Sequence, residues 1–532
     1  MGASMFVRTL LLILWVGMLP QLASGQMERA EVNLVYVSRL AQERATKPFQ
    51  SPRAELPEVL RQEKLNYDNY RKIRFRHDRA LWLSEKLPFR VEFFHPGYIY
   101  QEPVRIFEFT KTHVQRIRFV QDFFDYSDLN IQQQIPSDTG YAGFKIASPL
   151  NTPGGFDEVA VFLGASYFRM LGKDQRYGLS ARGLALDCGQ PDRPEQFPIF
   201  TDFWIGKPAL EDKALTVFAL MDSPSCTGAF EFRIRPGDHT VADVEAVLIF
   251  RATQNIQPED AVVKPVDSIG HGPLTSMFLF GENSERRVPD YRPEVHDSDG
   301  LLIHFENGEV VWRPLDNPVK IRHSLFATQN PRGFGLLQRD HEFSNYEDMF
   351  NLYQKVPSVW IRPKGDWGEG AVHLVELNAK YEGFDNVVVF WEPKLRPPPL
   401  TPWTFGYQIL WGRELGLSAN RVQSTRVGPE SHDSRRRQIH IDFAGPLLDS
   451  AGENEAPLAV VSCTPNARIY ETQVLRNSFS GGWRVLLKFE PLEGNQDPVD
   501  LRCTLKRGED VVSETWAYLW SIPQAPEAER PH

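Results

Sequence analysis

Along most of the chain the hydrophobic pattern has a period of two. In FRVEFFHP, Phe89, Val91 and Phe93 alternate with Arg90, Glu92 and Phe94, and EPVRIFEF repeats the pattern. Alternate side chains share one face of a strand, so this spacing predicts half-buried β structure. AGFKIASPL, EVAVFLGASYF, YGLSARGLALD, LTVFALMD, GAFEFRIRPG, TVADVEAVLIF, EVVWRPL, GAVHLVELN and NVVVFWEP follow, divided by Gly and Pro turns. Short strands at this spacing predict an all-β sandwich or barrel. Two segments depart from it. In EVNLVYVSRLAQERA, Leu34, Val37, Leu40 and Ala41 fall at helical spacing, and Lys47-Pro48 ends the helix. In FSNYEDMFNLYQK, Phe343, Tyr346, Phe350 and Tyr353 recur at steps of three and four, and Ser344 with Glu347 has capping-box spacing, predicting a second helix.

The pattern breaks at PKLRPPPLTPW, residues 393–403, where three consecutive prolines form a stiff extended spacer that no ladder accommodates. The expected organisation is a large β-sandwich over 26–393, a linker over 394–403, and a second domain over 404–532. Strands at QIHIDF, PLAVVSC, WRVLLKF, PVDLRCTL and ETWAYLW give that second domain the size and spacing of an immunoglobulin-like sandwich. RVGPESHDSRRR, residues 426–437, reads as an exposed loop. No internal repeat is found. At the start, Arg8, the apolar run Leu10 to Leu19 and the small residues Ala23-Ser24-Gly25 have the form of a signal peptide over 1–25, cleaved near Gly25. The run is too short for a bilayer, which needs about 20 apolar residues. An exported protein that does not span the membrane is expected.

Composition narrows the functional classes. A chain of 532 residues exceeds one ordinary core. Aromatics at 12% suit pleated, half-buried surfaces and offer flat faces for sugar rings. A net charge of -10 with no basic run excludes nucleic acid as a partner. Four cysteines are too few for a disulfide scaffold; Cys463 with Cys503, or Cys188 with Cys226, could pair or stay free. There is no CxxC or Cys/His cluster for zinc.

Most catalytic motifs fail. Gly178 to Gly183, GLSARG, is not a nucleophile elbow, because Arg182 stands where the last Gly belongs. No P-loop or dinucleotide fingerprint exists. Asp297-Ser298-Asp299-Gly300 opens like a calcium loop, but its Gly comes too early and Gly308 occupies the position of the bidentate Glu. No metal and no cofactor are expected. What remains is carboxylates among aromatics. HGPLTSMFLFGENSERRVPDYRPEVHDSDG, residues 271–300, has no clean period and crowds His271, Glu282, Asn283, Arg287, Arg292, Glu294, His296, Asp297 and Asp299 between apolar patches, as a site wall would. Asp366 lies in KGDWGEG, and Asp385 lies just before an apolar strand in YEGFDNVVVFW. Two carboxyl groups are what a glycosidase needs, one to protonate the leaving oxygen and one to activate water. For each Asp alone, a cap or ion pair is the simpler role, and the sequence does not say which two meet.

YRKIRFRHDRALW, EFFHPGYIY, VFLGASYFRMLGKDQRYGLSARGLALD, GPLTSMFLFGEN, RPEVHDSDGL, NPRGFGLLQRDHEFSNYEDM and KGDWGEG resemble the periplasmic glucan biosynthesis protein G/D family of Gram-negative bacteria, over residues 28–520. Gly365-Asp366-Trp367-Gly368 makes the likeness closer to the G branch. The resemblance implies a galactose-mutarotase-like β-sandwich with a long cleft, followed by the immunoglobulin-like domain. It implies a periplasmic protein whose substrate is the β-1,2-linked glucose backbone of osmoregulated glucans. D-branch relatives act as inverting endo-glucanases with two aspartates, which correspond here to Asp385, in an Asp-Asn pair, and Asp297, the first Asp of His-Asp-Ser-Asp. Asp385 is expected to be the general acid, in apolar surroundings. Asp297 is expected to be the base, kept ionised by His296 and nearby arginines. Asp299 and Asp366 are the competing acids on the substrate-binding surface: Asp299 is read as a structural partner of Asp297, and Asp366 as cleft wall. Tyr167, Phe168, Tyr353, Trp360 and Trp367 are the expected stacking residues, with Arg169, Arg182 and Glu282 as hydrogen-bonding partners. The rival class is a non-catalytic scaffold docked to a membrane glucan synthase. A transglycosylase working on nascent glucan is the third option.

Overall fold

A computed structural model describes residues 31–521, apart from 128, 153, 253–265, 285–286, 432–434, 451, 453–454. The expected signal segment and its cleavage site lie outside the described residues. The fold is an all-β sandwich, as the alternation predicts. One sheet runs in the order Arg90–Phe94, Gly143–Ser148, Asp157–Leu163, Tyr167–Met170, Ser180–Arg182, Ile269–Ser276, Val387–Pro393, Glu369–Glu376 and Arg322–Gln329. The facing sheet includes Gly300–His304, Gly333–Leu337, Ser358–Lys364, Trp403–Gly412, Thr240–Phe250, Cys226–Arg235, Leu215–Asp222 and Ile199–Gly206. Inward rings join the two layers: Phe162 and Phe168 lie 5.1 and 5.2 Å from Phe232, and Phe144 lies 5.0 Å from Phe203, all centroid to centroid.

The first helix forms as expected, over Leu34–Ala45. Asn33 caps it by accepting from the Tyr36 amide, and Val37, Ala41 and Ala45 are buried. They pack with Trp204, Phe218 and Ile249 on the outer face of the second sheet. The second expected helix does not form as a whole. A single turn, Phe343–Tyr346, ends at Glu347, whose φ is 52°, and a 3₁₀ turn follows at Tyr353–Lys355. Ser344 lies inside the first turn and is not its cap. The Asp348 carboxylate accepts from the Phe350 and Asn351 amides, and this local turn replaces helical bonds.

The proline segment does not divide the domains. Val387–Pro393 belongs to the first sheet, and Trp403–Gly412 belongs to the second, bonded on one side to Thr240–Phe250 and on the other to Ser358–Lys364. Residues that cannot donate to a ladder carry the chain from one layer to the other. The large domain therefore extends through Gly412. Beyond it, Arg421–Pro429, Arg437–Ala444, Trp483–Pro491 and Ala467–Arg476 form a four-stranded sheet. It packs against Leu458–Cys463, Val499–Arg507 and Thr515–Trp520 around Trp483, Phe489 and Trp516. The expected loop at 426–437 is narrower than predicted, since Pro429 pairs with Arg437 in a hairpin. This second sandwich is fused to the first. Thr515–Trp520 pairs in parallel with Val310–Pro314, and Trp312 and Trp360 of the large domain share the small domain's core. All four cysteines are free. Among the described residues no helix is long and apolar enough to cross a membrane.

Candidate functional site

Asp297 and Asp385 are brought to one place by a short piece of backbone, Met277-Phe278. The Asp297 amide donates to the Met277 carbonyl at 2.8 Å. The fully buried Asn386 brackets Phe278: its Oδ1 accepts from the Phe278 amide at 2.8 Å, and its Nδ2 donates to the Phe278 and Leu377 carbonyls, each at 3.0 Å. An amide with all these bonds made cannot turn, so Asp385 has a fixed stem. Gly178 closes the other side of Asp297. A Cβ there would come within 2.8 Å of Asp297 Oδ1 and would also strike Val356. That contact accounts for Gly at the first position of GLSARG.

Electrostatics link the two acids. Burial pushes the Asp297 carboxyl up to about 7; the charge of Asp385 adds to this, and Arg169 opposes it. Asp385 is also raised, by burial first, against the pull of Arg169 and Arg182. The charge of Asp385 thus favours the protonated form of Asp297. The expectation that Asp297 is kept ionised is therefore corrected. His296 faces away from it, because adjacent side chains of extended backbone point to opposite sides. His296 Nε2 meets Glu294 at 2.9 Å and Asp299 at 3.5 Å. Burial works against its charge, but Asp299 and Glu294 raise it to about 9, so it stands as a cation among these carboxylates.

Period two also sorts the predicted binding residues. In Tyr167–Met170, Tyr167 and Arg169 face outward, while Phe168 and Met170 face the core. Tyr167 pairs across the strands with Arg182, whose guanidinium lies 5.0 Å from its ring. Arg182 is held by Thr275 at 2.9 Å and by Glu195. Tyr167, Arg169 and Arg182 thus line the two acids.

Other contacts hold the remaining predicted residues, and burial corrects the stacking role expected of Phe168, Trp360 and Trp367. Phe168 is core, packed on Phe162 and Phe232. Trp360 is buried against His304 in the small domain's core. Trp367 is buried among His271, Trp391, Phe405 and Tyr407, with its indole N–H on the Gly406 carbonyl at 3.0 Å. Large aromatics in alternating strands meet the facing sheet, which leaves no ring face for a ligand. Tyr353 is buried beside Tyr346 and offers its hydroxyl instead of its ring, donating to Glu382 at 2.9 Å. Glu282 turns to the small domain, accepting from the Thr425 amide at 2.7 Å and pairing with Arg426 at 2.8 Å. Asp299 accepts from the Arg339 and Asp340 amides. Asp366 is exposed and caps its own turn through the Gly368 amide at 2.9 Å.

Among the described residues, Glu294, His296, Asp299 and Asp340 bring ligand-type atoms within 4.8 Å of one another. Sequence reasoning missed Gly178 as a wall of Asp297, Asn386 as the clamp beneath Asp385, and Glu382; it placed Arg292 in the 271–300 wall without its partners. Only Asn386 had a local signal, its place next to Asp385.

Residues 33–520 match the family model described as periplasmic glucan biosynthesis protein, MdoG. The chain is similar to glucans biosynthesis protein G of Ralstonia nicotianae, with 42% identity over 514 residues, covering 95% of this chain and 98% of that protein. It is similar to glucans biosynthesis protein G of Pseudomonas putida, with 40% identity over 487 residues, covering 89% and 84% respectively. Both relatives carry the G designation that the GDWG motif suggested.

Proposed function

Because this chain belongs to the MdoG family of periplasmic glucan biosynthesis proteins, we propose that it acts in the periplasm, after cleavage near Gly25, as an inverting endo-hydrolase of β-1,2-linked glucan. The observation that carries this reading is the pair Asp297 and Asp385. They are 88 residues apart in sequence, anchored on the same two residues of backbone, and coupled through their charges. In an inverting hydrolysis, the protonated Asp385 gives its proton to the glycosidic oxygen as the bond to the anomeric carbon breaks. Asp297 takes up, directly or through a short relay, the proton of the water that adds to the opposite face. Arg169 and Arg182 hold sugar hydroxyls; Arg169 tempers both carboxyl groups and Arg182 tempers Asp385, and Tyr167 contributes its ring.

One observation favours exchanged roles for the two acids. Asp297 is the carboxyl raised to about 7, so in the empty site it is a proton carrier at neutral pH. Substrate would dry Asp385 and shift the proton toward it. Incubation with purified linear β-1,2-glucan, followed by product sizing and anomer detection by NMR, tests the reading. Shorter chains released as the α-anomer support it. Unchanged chains point to a scaffold serving a membrane synthase, and rings or longer chains point to transglycosylation.

A further inference from the structure

Three loops beside the two acids meet at one side chain. Arg292 Nη1 donates to Asp348 at 2.8 Å and to Glu382 at 2.6 Å, while Nε and Nη2 grip Asp290 at 3.0 and 2.7 Å. Each partner is itself committed. Asp348 organises the turn at 348–351 through the Phe350 and Asn351 amides, and Glu382 accepts from the Tyr353 hydroxyl at 2.9 Å. That turn lies between two left-handed non-glycine residues, Glu347 at φ 52° and Leu352 at φ 54°. Backbone in this region is held only where its surroundings demand it, and such residues gather at ligand sites.

A segment fixed this firmly nevertheless presents an apolar tip to water. Phe350 is 93% exposed, Tyr291 72% and Tyr381 63%. Each neighbours a member of the knot: Tyr291 adjoins Arg292, Tyr381 adjoins Glu382, and Phe350 is two residues past Asp348. The Tyr291 ring lies 5.8 Å from the Arg292 guanidinium, and Phe350 and Tyr381 stand on the loops that this guanidinium ties. The loops that carry them lead directly to Asp297, five residues after Arg292, and to Asp385, three residues after Glu382. Scattered exposed rings need no explanation, but a mounted group of them at a cleft does. The occupant suggested by continuity with the two acids is the polysaccharide itself, since the flat apolar face of a pyranose ring matches an exposed aromatic ring.

We propose that Arg292 is a positioning residue that ties three loops into a lip, on which Tyr291, Phe350 and Tyr381 bind the glucan chain where it leaves Asp297 and Asp385. This rests on the reading of the cleft as a glucan site. The same knot sets the Glu382–Tyr353 pair beside Asp297. The other groups that act on Asp297 are Asp385, Arg169 and Tyr346, with the charge of His296 reaching it from the opposite side of the strand. The Glu382 carboxylate favours the protonated form of Asp297.

Calorimetry with linear β-1,2-glucooligosaccharides of increasing length tests the lip through Phe350→Ala and Tyr381→Ala. Both side chains are exposed, so folding is spared. Each variant is expected to bind long chains about three- to tenfold more weakly, the range of one aromatic contact, and to bind short chains with a smaller loss. Arg292→Met reproduces the loss on long chains, and Arg292→Lys, which keeps the charge but not the fork, recovers part of it. Glu382→Gln is expected to move the midpoint of the pH–activity curve set by Asp297 to lower pH, a shift that a merely structural role would not cause. Heat from the wild-type protein that Phe350→Ala and Tyr381→Ala leave unchanged at every length overturns the lip. A shift in oligomeric state alone would assign these rings to a second copy of the chain. No heat from the wild-type protein at any length removes the glucan reading, and the lip with it.

Discussion

Replacing Asp297 by Asn should make the protein more stable at pH 8 than the wild type, and the advantage should fade toward pH 4. The carboxyl rises from an ordinary 3.8 to about 7, and each pH unit is worth about 1.4 kcal/mol. Ionised Asp297 in the folded protein therefore costs roughly 4 kcal/mol relative to the unfolded chain. The sign follows from proton uptake. Between pH 4 and 7 the unfolded carboxyl has lost its proton and the folded one keeps it, so wild-type stability falls as pH rises through this window and levels off above 7. Asn is neutral throughout and lacks this slope. Melting temperature measured every half pH unit from 4 to 9 gives the difference curve, and its pH-dependent part is free of whatever the amide itself costs. Parallel curves would refute the argument that Asp297 is buried beside a second carboxyl. The same ionisation orients the chemistry. If Asp297 is the base, activity is lost as pH falls below about 7; if it is the acid, activity is lost as pH rises past that point.

Asp385→Asn should lower glucan hydrolysis by about 10²–10⁴-fold with binding retained, while Asp366→Asn, altered only in an exposed turn, should turn over at near the wild-type rate in the same assay. Trp367→Ala should cost about 3–5 kcal/mol in denaturant unfolding, and calorimetry on the folded fraction should return wild-type glucan affinity; a selective loss of affinity would return Trp367 to the cleft. Gly178→Ala should depress turnover more than stability, because the added methyl meets the Asp297 carboxylate at 2.8 Å, and a crystal structure of the variant should find Asp297 displaced. Glu514→Ala should weaken the junction of the two sandwiches by about 3–5 kcal/mol, seen as faster proteolysis within 413–521, since the buried Glu514 bonds Arg339 at 2.8 and 3.0 Å and the Val422 amide at 2.8 Å.

The sequence by itself determined the local and repetitive features. Alternation in FRVEFFHP and its successors is a property of neighbouring residues, so the strands, and with them the all-β class, were legible. The first helix was legible for the same reason, through Leu34, Val37, Leu40 and Ala41. Long motifs carried the family and pointed to Asp297 and Asp385. Tertiary structure decided whatever depends on which strands meet. Phe168 and Tyr167 look alike in sequence, and only the position of the facing sheet sends one to the core and the other to the site. Trp360 and Trp367 read as sugar platforms until the neighbouring layer covers them. The prolines at 397–399 break a ladder wherever they stand, but whether the break changes sheet or changes domain depends on the partner that Trp403–Gly412 finds. Helical spacing in FSNYEDMFNLYQK lost to Asp348, which is bound to Arg292 from a loop more than fifty residues away. The surroundings that set Asp297, which are burial first, then Asp385 and Glu382 raising it and Arg169 opposing them, are all brought in by long-range pairing. A carboxyl's proton affinity is a sum over charges and solvent within a few ångströms, and that sum does not exist until the chain has folded.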